Sequence, residues 1–309
     1  MKYKEWLYIW LENYIKPSSK EKTYTRYCEI VEQHIISYMG ESELINLSII
    51  EIQQFITYLI QCGNKKNNNG LSPNSVNSII TVIQNSLRTA FNLGYIKEYS
   101  ADKIKRPKAK EKAVTCFTVQ EQKQIEQAVF KSKKDKMFGV LLCFYTGLRI
   151  GELLALKWGD IDVIGGLLTV SRSCHDGKGK DGQYTRIEDT PKTLSSRRCI
   201  PLPKQLIPLI KEAKKKSRSD YVVANGEKPI SVRSYQESFN LLLKKLKIPH
   251  REFHSIRHTF ATRALECGMD VKTLSEILGH KSPTVTLNRY SHSLLDHKKE
   301  MMNRLGKLL

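Results

Sequence analysis

From Ser100 to Val114 the chain reads Ser-Ala-Asp-Lys-Ile-Lys-Arg-Pro-Lys-Ala-Lys-Glu-Lys-Ala-Val, a polar, cationic stretch broken by Pro107. A segment of this kind builds no core and interrupts helical order, so it separates what folds on either side. The 309 residues allow about two domains of ordinary size. The expected organisation is a helical domain over 1–99, a basic interdomain linker over 100–114, a larger domain over 115–290 and an amphipathic tail over 291–309.

The first domain reads as helical because apolar residues recur at helical spacing in Trp6, Ile9 and Trp10, and again in Ile49, Ile52, Phe55, Ile56 and Leu59. A third helix opens at Ser72-Pro73, a cap followed by proline in the first turn. It runs through Val76, Ile79, Ile80, Ile83 and Leu87 to an expected end at Gly94. In the second domain, helical patterns occupy 118–131, 135–145 and 149–156. Short β segments follow at 167–170, 184–187 and 198–200, separated by turn residues as in a small antiparallel sheet. Helices resume over 203–216, 231–246, 254–267, 271–278 and 282–290. The fold class is therefore mainly α, with a small antiparallel β-sheet in the C-terminal domain.

Lysine and arginine number 51 against 31 acidic residues, a net charge of +20. Residues 1–110 hold 15 basic and 10 acidic side chains, and 111–309 hold 36 and 21, so +15 falls in the second part. Such an excess favours a polyanion, whose condensed counterions are released on binding. A membrane partner is not expected. The longest nearly apolar stretch, Phe138 to Leu148, is too short to span a bilayer and is interrupted by glycine and threonine. Acidic Glu5 precedes a short apolar run that makes a poor signal peptide, so the expected location is cytoplasmic. Seven scattered cysteines, an odd number without C-x-x-C, suggest neither a disulfide framework nor a zinc site.

The chemistry lies in a few residue types. Arg149 stands in Thr146-Gly147-Leu148-Arg149-Ile150-Gly151-Glu152, and Arg257 follows His254 by one helical turn in an H-x-x-R-H string. His280 closes Leu278-Gly279-His280, and Tyr290 comes ten residues later in Asn288-Arg289-Tyr290-Ser291-His292. Guanidinium groups stay cationic and present planar, bidentate donors to phosphate oxygens. A phenol is mostly protonated at neutral pH and needs a base or cationic surroundings to attack. Imidazole in general titrates near working pH, which makes His254 and His280 candidates to take that proton. Together these residues suit attack on a phosphodiester. Gly177-Lys178-Gly179-Lys180-Asp181-Gly182 satisfies G-x-G-x-x-G by letter, but a β-like segment follows where a dinucleotide site needs a helix. Cys174-His175-Asp176 lacks a second pair at metal-binding spacing. No cofactor and no metal are expected, since cationic side chains can supply the positive charge.

In these motifs the chain resembles the tyrosine recombinase (phage integrase) family, over nearly its whole length. The resemblance is most specific across 149–292. It implies a two-domain DNA clamp, a helical core-binding, SAM-like domain joined to an α+β catalytic domain. It implies that Tyr290 is the nucleophile, giving a 3′-phosphotyrosyl link and a free 5′-hydroxyl, and that Glu152 supports Arg149. It further implies that a lysine between two strands protonates the leaving oxygen. Lys192, in Thr190-Pro191-Lys192-Thr193, matches that position, with Lys178 and Lys180 as rivals.

The implied partners are double-stranded DNA with specific core sites, a homo-tetramer on two duplexes, and accessory DNA-bending or excision factors. The wording of the motifs leans toward integrases of phages and conjugative transposons. On this resemblance the helices at the start of the chain are expected to be the core-binding ones, and the extra N-terminal arm-binding domain of larger integrases is not expected. A Xer-like resolvase, a type IB-like topoisomerase and a catalytically silent DNA-binding relic are the alternatives.

Overall fold

The computed structural model describes residues 1–65, 69–109, 115–132, 135–179, 183–189, 197–280 and 282–290, with 299, 302, 303, 305 and 306 near the C-terminus. The chain divides into two compact units, Met1–Lys112 and Ala113–Leu309. No helix among the described residues is long and apolar enough to cross a membrane.

The first unit is helical: α1 (Tyr3–Trp10), α2 (Glu21–Ile30), α3 (Ile36–Met39), α4 (Ile49–Cys62) and α5 (Pro73–Asn92). Local chemistry sets several ends. Ser72 accepts the Ser75 backbone N–H at 3.2 Å and Pro73 occupies the first turn of α5, while Gly94 leaves it at φ +77°. The core holds Trp6, Trp10, Phe55 and Ile80, all essentially inaccessible to solvent.

A buried polar seam joins α1 to α5. The Tyr3 hydroxyl meets Ser86 Oγ at 2.8 Å, Trp6 Nε1 donates to the Ser86 carbonyl at 3.1 Å, and Trp10 Nε1 donates to Thr89 Oγ1 at 3.1 Å. Part of the stretch expected as a linker packs on this unit. Ala101 and Ile104 are buried in its core, Gln84 Nε2 donates to the Ala101 carbonyl at 2.8 Å, and Asn77 Nδ2 donates to the Pro107 carbonyl at 3.1 Å. Residues 110–114 lie outside the described residues.

The second unit contains α6 (Val119–Phe130), α7 (Phe138–Thr146) and α8 (Ile150–Ala155), then β1 (Ile161–Asp162), β2 (Leu167–Val170), β3 (Ser173–Lys178), β4 (Tyr184–Asp189) and β5 (Arg198–Pro201). After these come α9 (Leu206–Lys216), the short pair β6 (Ala224–Asn225) and β7 (Lys228–Pro229), α10 (Val232–Lys245), α11 (His254–Glu266), α12 (Val271–Leu278) and α13 (Pro283–Tyr290). The apolar α7 is buried along almost its whole length and packs on α6, α9 and α11. Hence a helix with no polar face becomes the centre of the unit.

The β segments differ from the single sheet expected. β1, β2 and β5 form one antiparallel sheet, while β4 pairs with β3 in a separate ribbon. Ser173–Lys178, with its Cys-His-Asp-Gly centre, carries no apolar alternation, and only its ladder with β4 makes it a strand. Asp176 on that ribbon accepts the Val232 and Arg233 backbone N–H groups at 3.0 and 2.8 Å, fastening it to the start of α10.

Ser86→Ala is expected to strand the fully buried Tyr3 hydroxyl and to destabilise the first unit by about 1–3 kcal/mol. Tyr3→Phe leaves Ser86 Oγ bonded to the Ile83 carbonyl at 2.9 Å and is expected to be milder. Urea unfolding of the two variants checks the order; equal losses would contradict it.

Candidate active site

The site is built on the end of α12. Asp270 caps the start of this helix, accepting the Thr273 N–H at 2.9 Å, and Gly279 ends it at φ +64°. The N–H groups of Gly279 and His280 return to the carbonyls of Glu276 and Ser275, both at 3.0 Å. The next three carbonyls are taken by three arginines. Arg198 Nε donates to Ile277 O at 2.6 Å, Arg257 Nη2 to Leu278 O at 2.6 Å, and Arg149 Nη2 to Gly279 O at 3.1 Å. These carbonyls have no partner within their own helix and stand at the negative end of its dipole, which favours cations there.

Each arginine arrives on a different element. The buried helix α7 ends at Gly147 (φ +63°), and two residues later Arg149 caps α8. Arg257 lies on α11, is 2% exposed, and donates through Nη1 to the Gly147 carbonyl at 2.8 Å. Arg257 therefore ties the turn before Arg149 to the end of α12. Arg198 opens β5, opposite Val170 of β2.

Glu152 holds two of the three. Its Oε1 accepts Arg149 Nη1 at 2.8 Å and Arg198 Nη1 at 2.9 Å, and its Oε2 accepts the Arg149 backbone N–H at 2.9 Å and Arg198 Nη2 at 2.8 Å. The Glu152 and Arg198 side chains are 7% and 6% exposed, whereas Arg149 is 38% exposed. Burial pushes the Glu152 carboxyl up, but the hydrogen bonds and charge of Arg198, followed by the charge of Arg149, overcome it and bring it down to about 2.

His280 follows Gly279 directly, and its Nδ1 lies 2.7 Å from the hydroxyl of Thr286, which is fully buried on α13. His254, exposed at the start of α11, stands edge-on to His258 with ring centroids 4.6 Å apart. Tyr290 is the last residue of α13, four beyond Thr286, and its side chain lies outside the described residues. Lys192 and its neighbours 190–196 also lie outside them, as does Lys180, and of Lys178 only the backbone is described.

Thus Arg149, Glu152, Arg257 and the backbone of His280 come together, with His254 one turn before Arg257. Sequence reasoning missed Arg198. Its signal was its place two residues before buried Ile200, on the inward face of a strand where a charge needs a partner. Among the described residues no group of three His, Cys, Asp or Glu side chains is placed to hold a metal.

Because the Glu152 carboxyl lies below its ordinary 4.5 when folded, its contribution is fully present above that value and is lost as pH falls toward about 2. The loss amounts to about 3 kcal/mol. Glu152→Gln is expected to cost about 3–5 kcal/mol at pH 7, by leaving buried Arg198 without its carboxylate. It should also remove that part of the acid dependence. Denaturant unfolding of both proteins between pH 7 and pH 2 checks it; an unchanged acid dependence in the variant would contradict it.

Residues 115–297 match the family described as Phage integrase family, and residues 2–60 match the phage integrase N-terminal SAM-like domain. A XerC-like tyrosine recombinase of Caldanaerobacter subterraneus is 32% identical over 98% of this chain and 82% of its own length. The ICEBs1 integrase of Bacillus subtilis is 29% identical, over 94% of this chain and 79% of its own. The fold is that of the Tn1549 transposon integrase solved with transposon right end DNA, at a TM-score of 0.81 and 20% identity, over 99% of this chain and 100% of that one. The chain belongs to the phage integrase family, the tyrosine recombinases, which are DNA strand-transferring enzymes.

Proposed function

We propose that this protein is a site-specific recombinase that integrates or excises a mobile element, cutting and rejoining duplex DNA through a 3′-phosphotyrosyl intermediate. The observation that carries the reading is the cluster at the end of α12, where Arg149 and Arg257 are fixed on one backbone turn beside His280. Likeness to integrases of mobile elements supports it.

In this reading the Tyr290 hydroxyl attacks the scissile phosphorus in line. Its proton passes to His254 or His280, and the bond from phosphorus to the 5′-oxygen breaks. That oxygen takes a proton from Lys192. Arg149 and Arg257 neutralise the non-bridging oxygens as charge builds on them. Glu152 fixes the orientation of Arg149, and the phosphate approaches from the side on which Arg149 is exposed. The ester to Tyr290 keeps the energy of the broken bond, so a 5′-hydroxyl from a partner duplex reseals the strand without ATP. The proposed assembly is a tetramer on two duplexes in the cytosol or nucleoid, with residues 291–309 docking on a neighbouring protomer.

Supercoiled plasmid carrying the native flanking DNA, incubated with the protein in EDTA and without ATP, tests the reading. The wild type is expected to give an SDS-resistant protein–DNA adduct whose ends map the crossover site. Tyr290→Phe is expected to lose the adduct while still binding DNA in a salt-sensitive manner. Arg149→Ala and Arg257→Ala are each expected to slow adduct formation by about 10²–10³-fold. An adduct that survives Tyr290→Phe would remove Tyr290 as the nucleophile.

A further inference from the structure

We infer that Arg198 is a positioning residue for strand cleavage: by holding the Glu152 carboxylate from its buried side, it keeps the positive charge of Arg149 available to the scissile phosphate. The inference rests on the reading of Arg149 as a phosphate-neutralising group.

The Arg198 side chain is 6% exposed and, unlike Arg257, is held by a carboxylate through two of its nitrogens. All three of its guanidinium nitrogens face inward, two to Glu152 and one to the Ile277 carbonyl. Its guanidinium also backs onto Gly279, where an added Cβ would lie 3.0 Å from Arg198 Nη1. The residue whose carbonyl receives Arg149 is therefore seated against Arg198.

Charge explains why this matters. Arg149 paired with Glu152 alone would be a one-to-one ion pair, and such a pair has little attraction left for a phosphate. With Arg198 present, two guanidiniums share one carboxylate, and the trio keeps a net positive charge on its exposed side. Geometry adds to this. Each Glu152 oxygen accepts two bonds, one of them from Arg198. Without Arg198, half of those bonds vanish and the buried carboxylate turns to the remaining donors of Arg149, the same donors a phosphate would use.

The test is the rate of adduct formation on a duplex carrying the mapped crossover site. One version has the ordinary phosphodiester, and the other has a methylphosphonate at the scissile position. The methylphosphonate lacks the negative charge that Arg149 is proposed to neutralise. Arg198→Met is expected to slow cleavage of the ordinary duplex by about 100-fold. On the methylphosphonate its loss is expected to shrink to less than about fivefold, as should that of Arg149→Ala. Arg198→Lys, which keeps the charge but not the planar fork, is expected to fall between wild type and Arg198→Met.

If Arg198→Met loses equally on both duplexes while Arg149→Ala is relieved by the methylphosphonate, the inference is overturned and the reading of Arg149 stands. If Arg149→Ala is not relieved, that reading fails and the inference falls with it. Should Arg198→Met fail to fold, Arg198→Lys carries the comparison: a loss that shrinks on the methylphosphonate supports the inference, and an equal loss on both duplexes overturns it.

Discussion

Three consecutive carbonyls at the end of α12 bind three guanidiniums, and the arrangement of the site follows from that contact. A buried arginine needs acceptors, and a carboxylate is the usual one. Carboxylates in equal number would satisfy these donors and cancel their charge. Carbonyl dipoles at a helix C-terminus satisfy the donors and leave the charge in place. In the described bonds one carboxylate, Glu152, serves the cluster, so the site keeps an excess of positive charge for a polyanion to neutralise.

Close approach at this point requires two glycines. Gly147 and Gly279 both adopt left-handed backbone angles, at φ +63° and +64°. A Cβ on Gly147 would lie 2.5 Å from Phe260 and 2.9 Å from Leu278, and one on Gly279 would press on Arg198. The ends of α7 and α12 thus close on one another and on the arginines because neither carries a side chain there. The Thr-Gly-Leu-Arg and Leu-Gly-His strings are local requirements of this packing as much as of the chemistry.

Much of this was legible in the sequence, for reasons that are local. Val271–Leu278 appears as the helix its apolar spacing predicts, and Leu167–Val170 as the strand. Ser72-Pro73 opens α5 as a cap and proline should. Arg149 and Arg257 were readable because their motifs are contiguous along the chain. What escaped depends on distant partners. Arg198 matters through Glu152, 46 residues away, and through Ile277, 79 residues away. Ser173–Lys178 is a strand only because Tyr184–Asp189 pairs with it. Ala101 and Ile104 read as linker among their lysines, but the core of the first unit has room for both.

In the proposed reading, the same geometry separates the holding of charge from the delivery of the nucleophile. The arginines sit on α8, α11 and β5, each fixed by several bonds to backbone or to Glu152. Tyr290 comes from α13, which follows α12 after a short connection, packs on it, and is held to His280 through buried Thr286. Reversible strand transfer requires this division. The phosphate must stay bound in one orientation while the tyrosine attacks, and again while an incoming hydroxyl displaces it. In that proposed reading, a cradle cross-linked through backbone carbonyls keeps the orientation through both steps, so its charge need not reorganise when the tyrosine is displaced.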